Sequence, residues 1–222
     1  MNSSIHNEGL GDRRRVVAVI PAAGRGRRME RLKQLLPYGQ TTMLETVIQT
    51  AVACCREGVV AGVVVVVGDG ARAAAERHGS DRCRIAVNPD PDSDMLASVR
   101  IGWDAGRQAF GLTERDGAML LPADQPELTG EAIAAVERVF RQANDGSVVV
   151  AAAYEGRRGH PAVYSGDLIE ATRAWPAGVG LNEVAKRYPE RVREVAMGSA
   201  IPLDVNTPQA YADVLARQAD RT

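Results

Sequence analysis

Val16-Val17-Ala18-Val19-Ile20, followed at once by Pro21-Ala22-Ala23-Gly24-Arg25-Gly26-Arg27-Arg28-Met29-Glu30-Arg31-Leu32-Lys33, is the stretch that decides the fold. Five apolar, mostly β-branched residues without a break read as a strand covered on both faces, as in a parallel sheet. A segment rich in small residues directly after such a strand lets the backbone come close to a ligand. Glycine there supplies conformations that aim successive N–H groups at one point.

Working outward, the same alternation continues. Further strands are expected at 63–67, 83–87, 118–121 and 147–153, with short ones at 161–164 and 192–196. Helices are expected over 43–55, 71–78, 93–109 and 130–142, and from Pro208 to Arg217. Leu44, Val47, Ile48, Ala51 and Val52 give the first helix its apolar face. Thr129 is a good N-cap for the fourth. Strands alternating with helices imply βαβ units, right-handed crossovers and a mostly parallel sheet. In such sheets ligands bind beyond the carboxyl ends of the strands. Residues 16–217 read as one domain, with 1–15 as a disordered leader whose arginines are solvated.

The bulk numbers agree with an ordinary globular chain. Of its 222 residues 45% are hydrophobic and 25% charged, with aromatics only 4%, so Val, Ala, Leu and Ile must build the core. A formal net charge of -1 gives no general pull toward nucleic acid or membrane. No apolar run approaches the roughly 20 residues that span a bilayer. Cys54, Cys55 and Cys83 lack metal-site spacing, and their odd number fits a reducing cytoplasm. All three read as small core residues.

The glycine- and arginine-rich segment suits phosphate oxygens. Arg25, Arg28 and Lys33 add positive charge and donors for a triphosphate. It is not a Walker loop, because the Gly-Lys-Ser/Thr ending is missing. Nor is it a dinucleotide fingerprint: Met29 holds the third-glycine place and Asp69 comes too late. The bland alternative is a basic surface loop.

A second segment gives the first its meaning. Leu121-Pro122-Ala123-Asp124-Gln125-Pro126 puts one carboxylate at the end of a buried strand, on the same sheet edge. Magnesium takes one or two carboxylates together with phosphate oxygens and water. Asp124 is therefore a candidate for the metal that bridges a triphosphate, although an Asp at such a place can be only a turn residue.

The stretch from Ala22 to Met29, then Lys33, then Leu35-Leu36-Pro37 resembles the signature of the MobA-like nucleotidyltransferases. Within that group it is most similar to the molybdenum cofactor cytidylyltransferases. The family pattern runs Ala-Ala-Gly, two or three residues, Arg-Met-Gly, two residues, Lys, then Leu-Leu-Pro. Glu30 stands here where the family has Gly, and Pro21 where Leu is common, the latter a feature shared with cytidylyltransferases of isoprenoid synthesis.

The resemblance runs from about Val16 to Leu215 and implies a Rossmann-like three-layer α/β/α sandwich. It implies transfer of a nucleotidyl group, with CTP favoured as donor, to a phosphorylated acceptor such as molybdopterin, with release of pyrophosphate. It implies Mg2+ as cofactor and leaves room for a molybdoenzyme partner. Ala22, Ala23, Gly24, Arg25 and Gly26 would hold the nucleotide, and Arg28 and Lys33 its phosphates. Ala23, rather than Gly, at the third place points to the cytidylyl branch. Asp124 would hold the metal, with Asp204 as a second oxygen ligand in Leu203-Asp204-Val205-Asn206-Thr207-Pro208. Asn206 stands where the family has a second Asp. It is either a ligand or, with Thr207, a cap for a helix opening at Pro208.

On the substrate side, Asn88 and Ser98 match the segment that lines the base and ribose pocket, with Asp94 in place of Gly. Gly159-His160-Pro161, read as a loop between two strands, resembles the acceptor side, where His160 would meet the acceptor phosphate or the nucleotide. Arg158, with Arg157, would attract the anionic acceptor. The stretch from Pro176 to Asn182 lacks the Asp and Arg of the relatives' Gly-Asp-x-Gly-Ala-Arg. A sugar, polyol or cofactor-precursor phosphate is the alternative acceptor. A noncatalytic nucleotide-binding accessory protein is the alternative of another class.

Overall fold

The structure, a computed structural model, describes residues 13–24, 32–90, 92–143, 149–176, 178–198 and 200–220. Nine strands are assigned among them: β1 (Val16–Ala22), β2 (Pro37–Tyr38), β3 (Thr41–Thr42), β4 (Gly62–Val67), β5 (Cys83–Val87), β6 (Gly117–Leu120), β7 (Val149–Tyr154), β8 (Arg157–Ser165) and β9 (Val192–Met197). The helices are α1 (Met43–Arg56), α2 (Asp69–Glu76), α3 (Met95–Phe110), α4 (Gly130–Gln142), α5 (Gly166–Ala171), α6 (Asn182–Arg187) and α7 (Pro208–Ala219).

Seven strands form one sheet in the order β5-β4-β1-β6-β8-β7-β9. β8 runs antiparallel to both its neighbours, and the other pairings are parallel. β2 and β3 make a separate small hairpin. The mostly parallel α/β sheet expected from the apolar runs is therefore present.

Alternation along β1 shows why the run is unbroken. Val16, Ala18, Ile20 and Ala22 enter one core, shared with Leu44, Val47 and Ile48 of α1 and Ile133, Val136 and Phe140 of α4. Val17 and Val19 enter a second core, on the opposite face, with Leu96, Val99 and Trp103 of α3 and Leu168 and Ile169 of α5. Each fully buried Val, Leu or Ile contributes roughly 1.5–3 kcal/mol. The central strand thus joins two layers of helices to one sheet. α3 comes especially close to it, because Gly102 and Gly106 face Val19 and Val17 without a Cβ. Cys54, Cys55 and Cys83 are free thiols within the first core, and burial pushes Cys54 and Cys83 up to about 11.

The helix ends follow their side chains. Thr42 and Glu45 form a reciprocal cap on α1, and Thr129 caps α4 through Ala132 N–H. Asp94 caps α3 by accepting from Ala97 N–H at 2.8 Å, so the helix starts two residues after the expected Ser93.

Three readings need correction. Arg14 is not solvated: it is 6% exposed, its Nε donates to Arg115 O at 2.8 Å, and its guanidinium lies 3.7 Å from the centroid of the Phe140 ring. Arg15 N–H donates to Asp116 Oδ1 at 2.7 Å. These bonds tie the residues ahead of β1 to the segment that leads into β6. His160 is not in a loop but inside β8, which begins at Arg157 and carries a cis His160–Pro161 peptide. α5 and α6 fall where no helix was expected, and both are only six residues long.

Candidate active site

The chain moves from β1 to β4 and β5 on one side, then crosses back to β6 on the other side of β1. Such a reversal leaves a crevice at the carboxyl ends of the two central strands. A cleft of about 250 Å³ lies there. Pro21 to Gly24 line it from the end of β1, and Pro122, Ala123 and Asp124 from the end of β6. Lys33 and Gln34 close one side, and Asp90, Ser93, Asp94, Met95 and Ser98 the other. Met95 is half exposed at the rim.

At one end of the cleft a small polar network joins three distant parts of the chain. Lys33 opens a 3-10 turn (Lys33–Leu35). Its Nζ donates to Asp124 Oδ2 at 2.5 Å and to Asn206 Oδ1 at 2.6 Å. Both charged side chains are partly buried, so salt screens the pair less than an exposed one. Val205 N–H donates to Asp124 O at 3.1 Å, and Asn206 N–H to Asp204 O at 2.9 Å. Gln125 Nε2 donates to Asp204 Oδ1 at 2.5 Å. Thr207, not Asn206, caps α7, accepting from Ala210 N–H at 3.1 Å. That leaves the Asn206 amide free to turn toward Lys33.

The walls of the cleft are organised by buried amides. Gln34 is 4% exposed, and its Nε2 donates to Ala22 O at 3.0 Å and Gly24 O at 3.2 Å. Those bonds fix the backbone at the end of β1, where it lines the cleft. Asn88, also 4% exposed, donates through Nδ2 to Ser93 Oγ at 2.8 Å and Ser98 Oγ at 3.0 Å. Its own Oδ1 accepts from Asp90 N–H at 3.0 Å. Asn88 thus stands behind the cleft and holds the residues that line it, whereas Ser98 reaches the cleft itself.

His160 lies beyond the polar network. Burial lowers its imidazole below the ordinary value, while the carboxylates of Asp204 and Asp124 act in the opposite direction. Of these two carboxylates Asp124 is the one that Lys33 also holds, so both side chains share it as a neighbour. The His160 carbonyl accepts from Tyr154 Oη at 2.8 Å. Arg158 is separated from this group. Its Nε lies 3.4 Å from Glu194 Oε1 on β9, and both side chains are about half exposed.

The structure therefore brings Ala22, Ala23, Gly24, Lys33, Ser98 and Asp124 to one cleft, with Asn206 and Asp204 at its edge. Asn88 and Arg158 are not among the lining residues. Arg25, Gly26 and Arg28 lie outside the described residues. Two contributors have no role assigned from the sequence: Gln34, which directly succeeds Lys33, and Gln125, which directly succeeds Asp124 within the Asp124-Gln125-Pro126 segment. Each sat beside a charged candidate and carried no charge of its own to draw notice. Among the described residues no three His, Cys, Asp or Glu side chains come together as a metal cluster, and no helix is long and apolar enough to cross a membrane.

A mostly parallel sheet with a cleft at its switch point, lined by Lys33 and Asp124 from opposite segments, is the architecture of a ligand-binding α/β enzyme. The chain belongs to the MobA-like NTP transferase domain family, whose model matches residues 18–192. It is 25% identical over 194 residues to the molybdenum cofactor cytidylyltransferase of Escherichia coli K12, covering 87% of this chain and 92% of that one. A nucleotidyl transferase from Methanothermobacter superposes with a TM-score of 0.75 at 21% identity, covering 96% of this chain and all of the other. Rv0371c of Mycobacterium tuberculosis, in a complex with manganese, gives 0.70 at 23% identity, with 92% and 99% covered. The chain is a nucleotidyltransferase with the three-layer α/β fold of these proteins.

Proposed function

We propose that the chain transfers the cytidylyl group of CTP to the phosphate of molybdopterin and releases pyrophosphate. The observation that carries this reading is the meeting of Lys33 with Asp124 and Asn206 at the mouth of the cleft between β1 and β6. That point is where a triphosphate laid along Ala22 to Gly24 would end. The relationship to a molybdenum cofactor cytidylyltransferase over most of both chains supports the choice of donor and acceptor. Ala23 at the third place of the signature favours cytosine over guanine, by the same resemblance. The three buried thiols suit a cytoplasmic setting, and a molybdoenzyme is the partner that would receive the product.

Magnesium is the cofactor assigned, and the residues fit it. Asp124 Oδ2 and Asn206 Oδ1 are two oxygens aimed at one cationic point. A hard cation that keeps phosphate oxygens and waters needs few protein ligands. Asp124 and Asn206 would hold the ion, with Asp204 adjoining. When bound, it neutralises charge on the triphosphate and its leaving group. The manganese complex of the mycobacterial relative is in keeping with such use.

The rest of the chemistry falls to positioning. The backbone from Ala22 to Gly24, fixed by Gln34, cradles the phosphates, and the resemblance gives Arg25, Gly26 and Arg28 a share in binding the nucleotide. Ser98, held by Asn88, faces the ribose and base. An oxygen of the acceptor phosphate attacks the α-phosphorus, forming a new P–O bond. The bond from the α-phosphorus to the bridging oxygen breaks, and the electron pair leaves with pyrophosphate. Lys33 balances charge gathering on the phosphates. His160, with Asp124 and Asp204 as neighbours, orients the acceptor, with Arg158 drawing it in. No protein nucleophile is required, since the acceptor supplies one.

The test is label transfer from α-labelled CTP with Mg2+. Label moving to molybdopterin supports the reading. Label moving only to a sugar or polyol phosphate keeps the chemistry and replaces the acceptor. Bound CTP with no transfer to any acceptor overturns the reading in favour of a noncatalytic accessory protein.

A further inference from the structure

We infer that Lys33 acts as a resident cation, holding the metal site closed until a nucleotide draws it away. This rests on the reading of Asp124 and Asn206 as metal ligands. The Lys33 ammonium lies 2.5 Å from Asp124 Oδ2 and 2.6 Å from Asn206 Oδ1, at the point where the two oxygens converge. A small divalent cation takes its oxygens at about 2.0–2.1 Å. On these two oxygens it would fall within the van der Waals envelope of the ammonium nitrogen. The two cations also repel, and the two ligands carry only one negative charge between them. Lys33 and the metal therefore occupy the place in turn, not together.

The site is built to survive the exchange. Asp124 is fixed by its position after β6 and by the bond from Val205 N–H to its carbonyl. Asn206 is fixed by its own N–H bond to Asp204 O and by Thr207 capping α7 just beyond it. Gln125, 4% exposed, clamps Asp204 from the β6 side. None of these bonds involves Lys33. The lysine has somewhere to go, because it also lines the cleft beside Ala23 and Gly24. A four-carbon stem lets its ammonium swing from a carboxylate to a phosphate without moving the backbone. Triphosphate binding thus frees the two oxygens, and metal and nucleotide bind with positive coupling.

The test is Mn2+ binding to the full chain without nucleotide, read from the electron paramagnetic resonance signal of free Mn2+. Lys33→Met removes the competing charge, and Lys33→Gln serves if that variant does not fold. Either should bind Mn2+ about fivefold more tightly than the parent chain. Lys33→Arg keeps the charge and should match the parent. Asp124→Asn should bind more weakly than the parent. Equal or weaker binding by the neutral Lys33 variants, with the loss at Asp124→Asn retained, overturns the exchange and leaves the ligand reading standing. Parent-like binding by Asp124→Asn overturns the ligand reading and the exchange with it.

Discussion

Lys33 and Asp124 stand 91 positions apart in the chain and meet at 2.5 Å, Nζ to Oδ2. The sheet order makes this contact. β1 and β6 become neighbours only because the chain goes out to β5 and returns, so the segments leaving both strands open on the same crevice. A cation from one segment and an anion from the other then meet at the cleft.

Asp124→Ala should reduce kcat/KM by roughly 10²-fold or more, since the lost group acts where charge develops. The fold should persist, because the bond from Val205 uses the Asp124 carbonyl and not its side chain. Steady-state kinetics beside circular dichroism checks both. Undiminished turnover would remove Asp124 from the site.

Gln125→Ala cuts the link from the end of β6 to Asp204 and leaves a buried place without its amide. A loss of about 1–2 kcal/mol is expected in urea denaturation. The Mg2+ concentration giving half-maximal rate should rise as well. A stability loss with an unchanged Mg2+ requirement would limit Gln125 to a structural part.

Gly102→Ala tests the close approach of α3 to β1. The added methyl would lie 2.4 Å from Val19 Cγ1 and 3.1 Å from Val66 Cγ2, both in the core. Overpacking of this kind costs about 1–3 kcal/mol. Chemical denaturation should show it, whereas an unaffected midpoint would mean that the helix can move outward freely.

His160 should leave a mark on stability against pH. Its folded-state pKa is lowered by burial, so between that lowered value and the ordinary 6.5 the unfolded chain binds more protons than the folded one. Stability therefore rises with pH through this window and falls as pH drops through it. His160→Gln should flatten the slope. An identical slope in the variant would assign it to other groups.

Much of this was legible in residue order. The runs at β1, β4, β5 and β6 lie inside the sheet or pack against its helices, so they show as largely unbroken apolar stretches. β8 shows in the sequence as only four residues, 161–164, because Arg157, Arg158 and His160 break the apolar run. Its pairing with β7 comes from backbone bonds that no side chain signals. α5 and α6 are too short for a periodicity to appear. The hairpin of β2 and β3 has two residues per strand. Within the site, Lys33 and Asp124 are visible as charges, one shortly after a glycine- and arginine-rich segment and the other between Pro122 and Pro126. Gln34 and Gln125 matter through the groups they bond to across the fold, which a lone amide does not announce. The part played by Arg25, Gly26 and Arg28 belongs to residues outside those described.

Nucleotidyl transfer at this cleft, from CTP to molybdopterin, is tested most directly by pyrophosphate release with Mg2+. CTP, GTP, ATP and UTP are compared with molybdopterin present and with the acceptor omitted. The expected result is release that needs molybdopterin, is fastest with CTP and is lost in Asp124→Ala. Release that is indifferent to the acceptor, or survives in that variant, would contradict it.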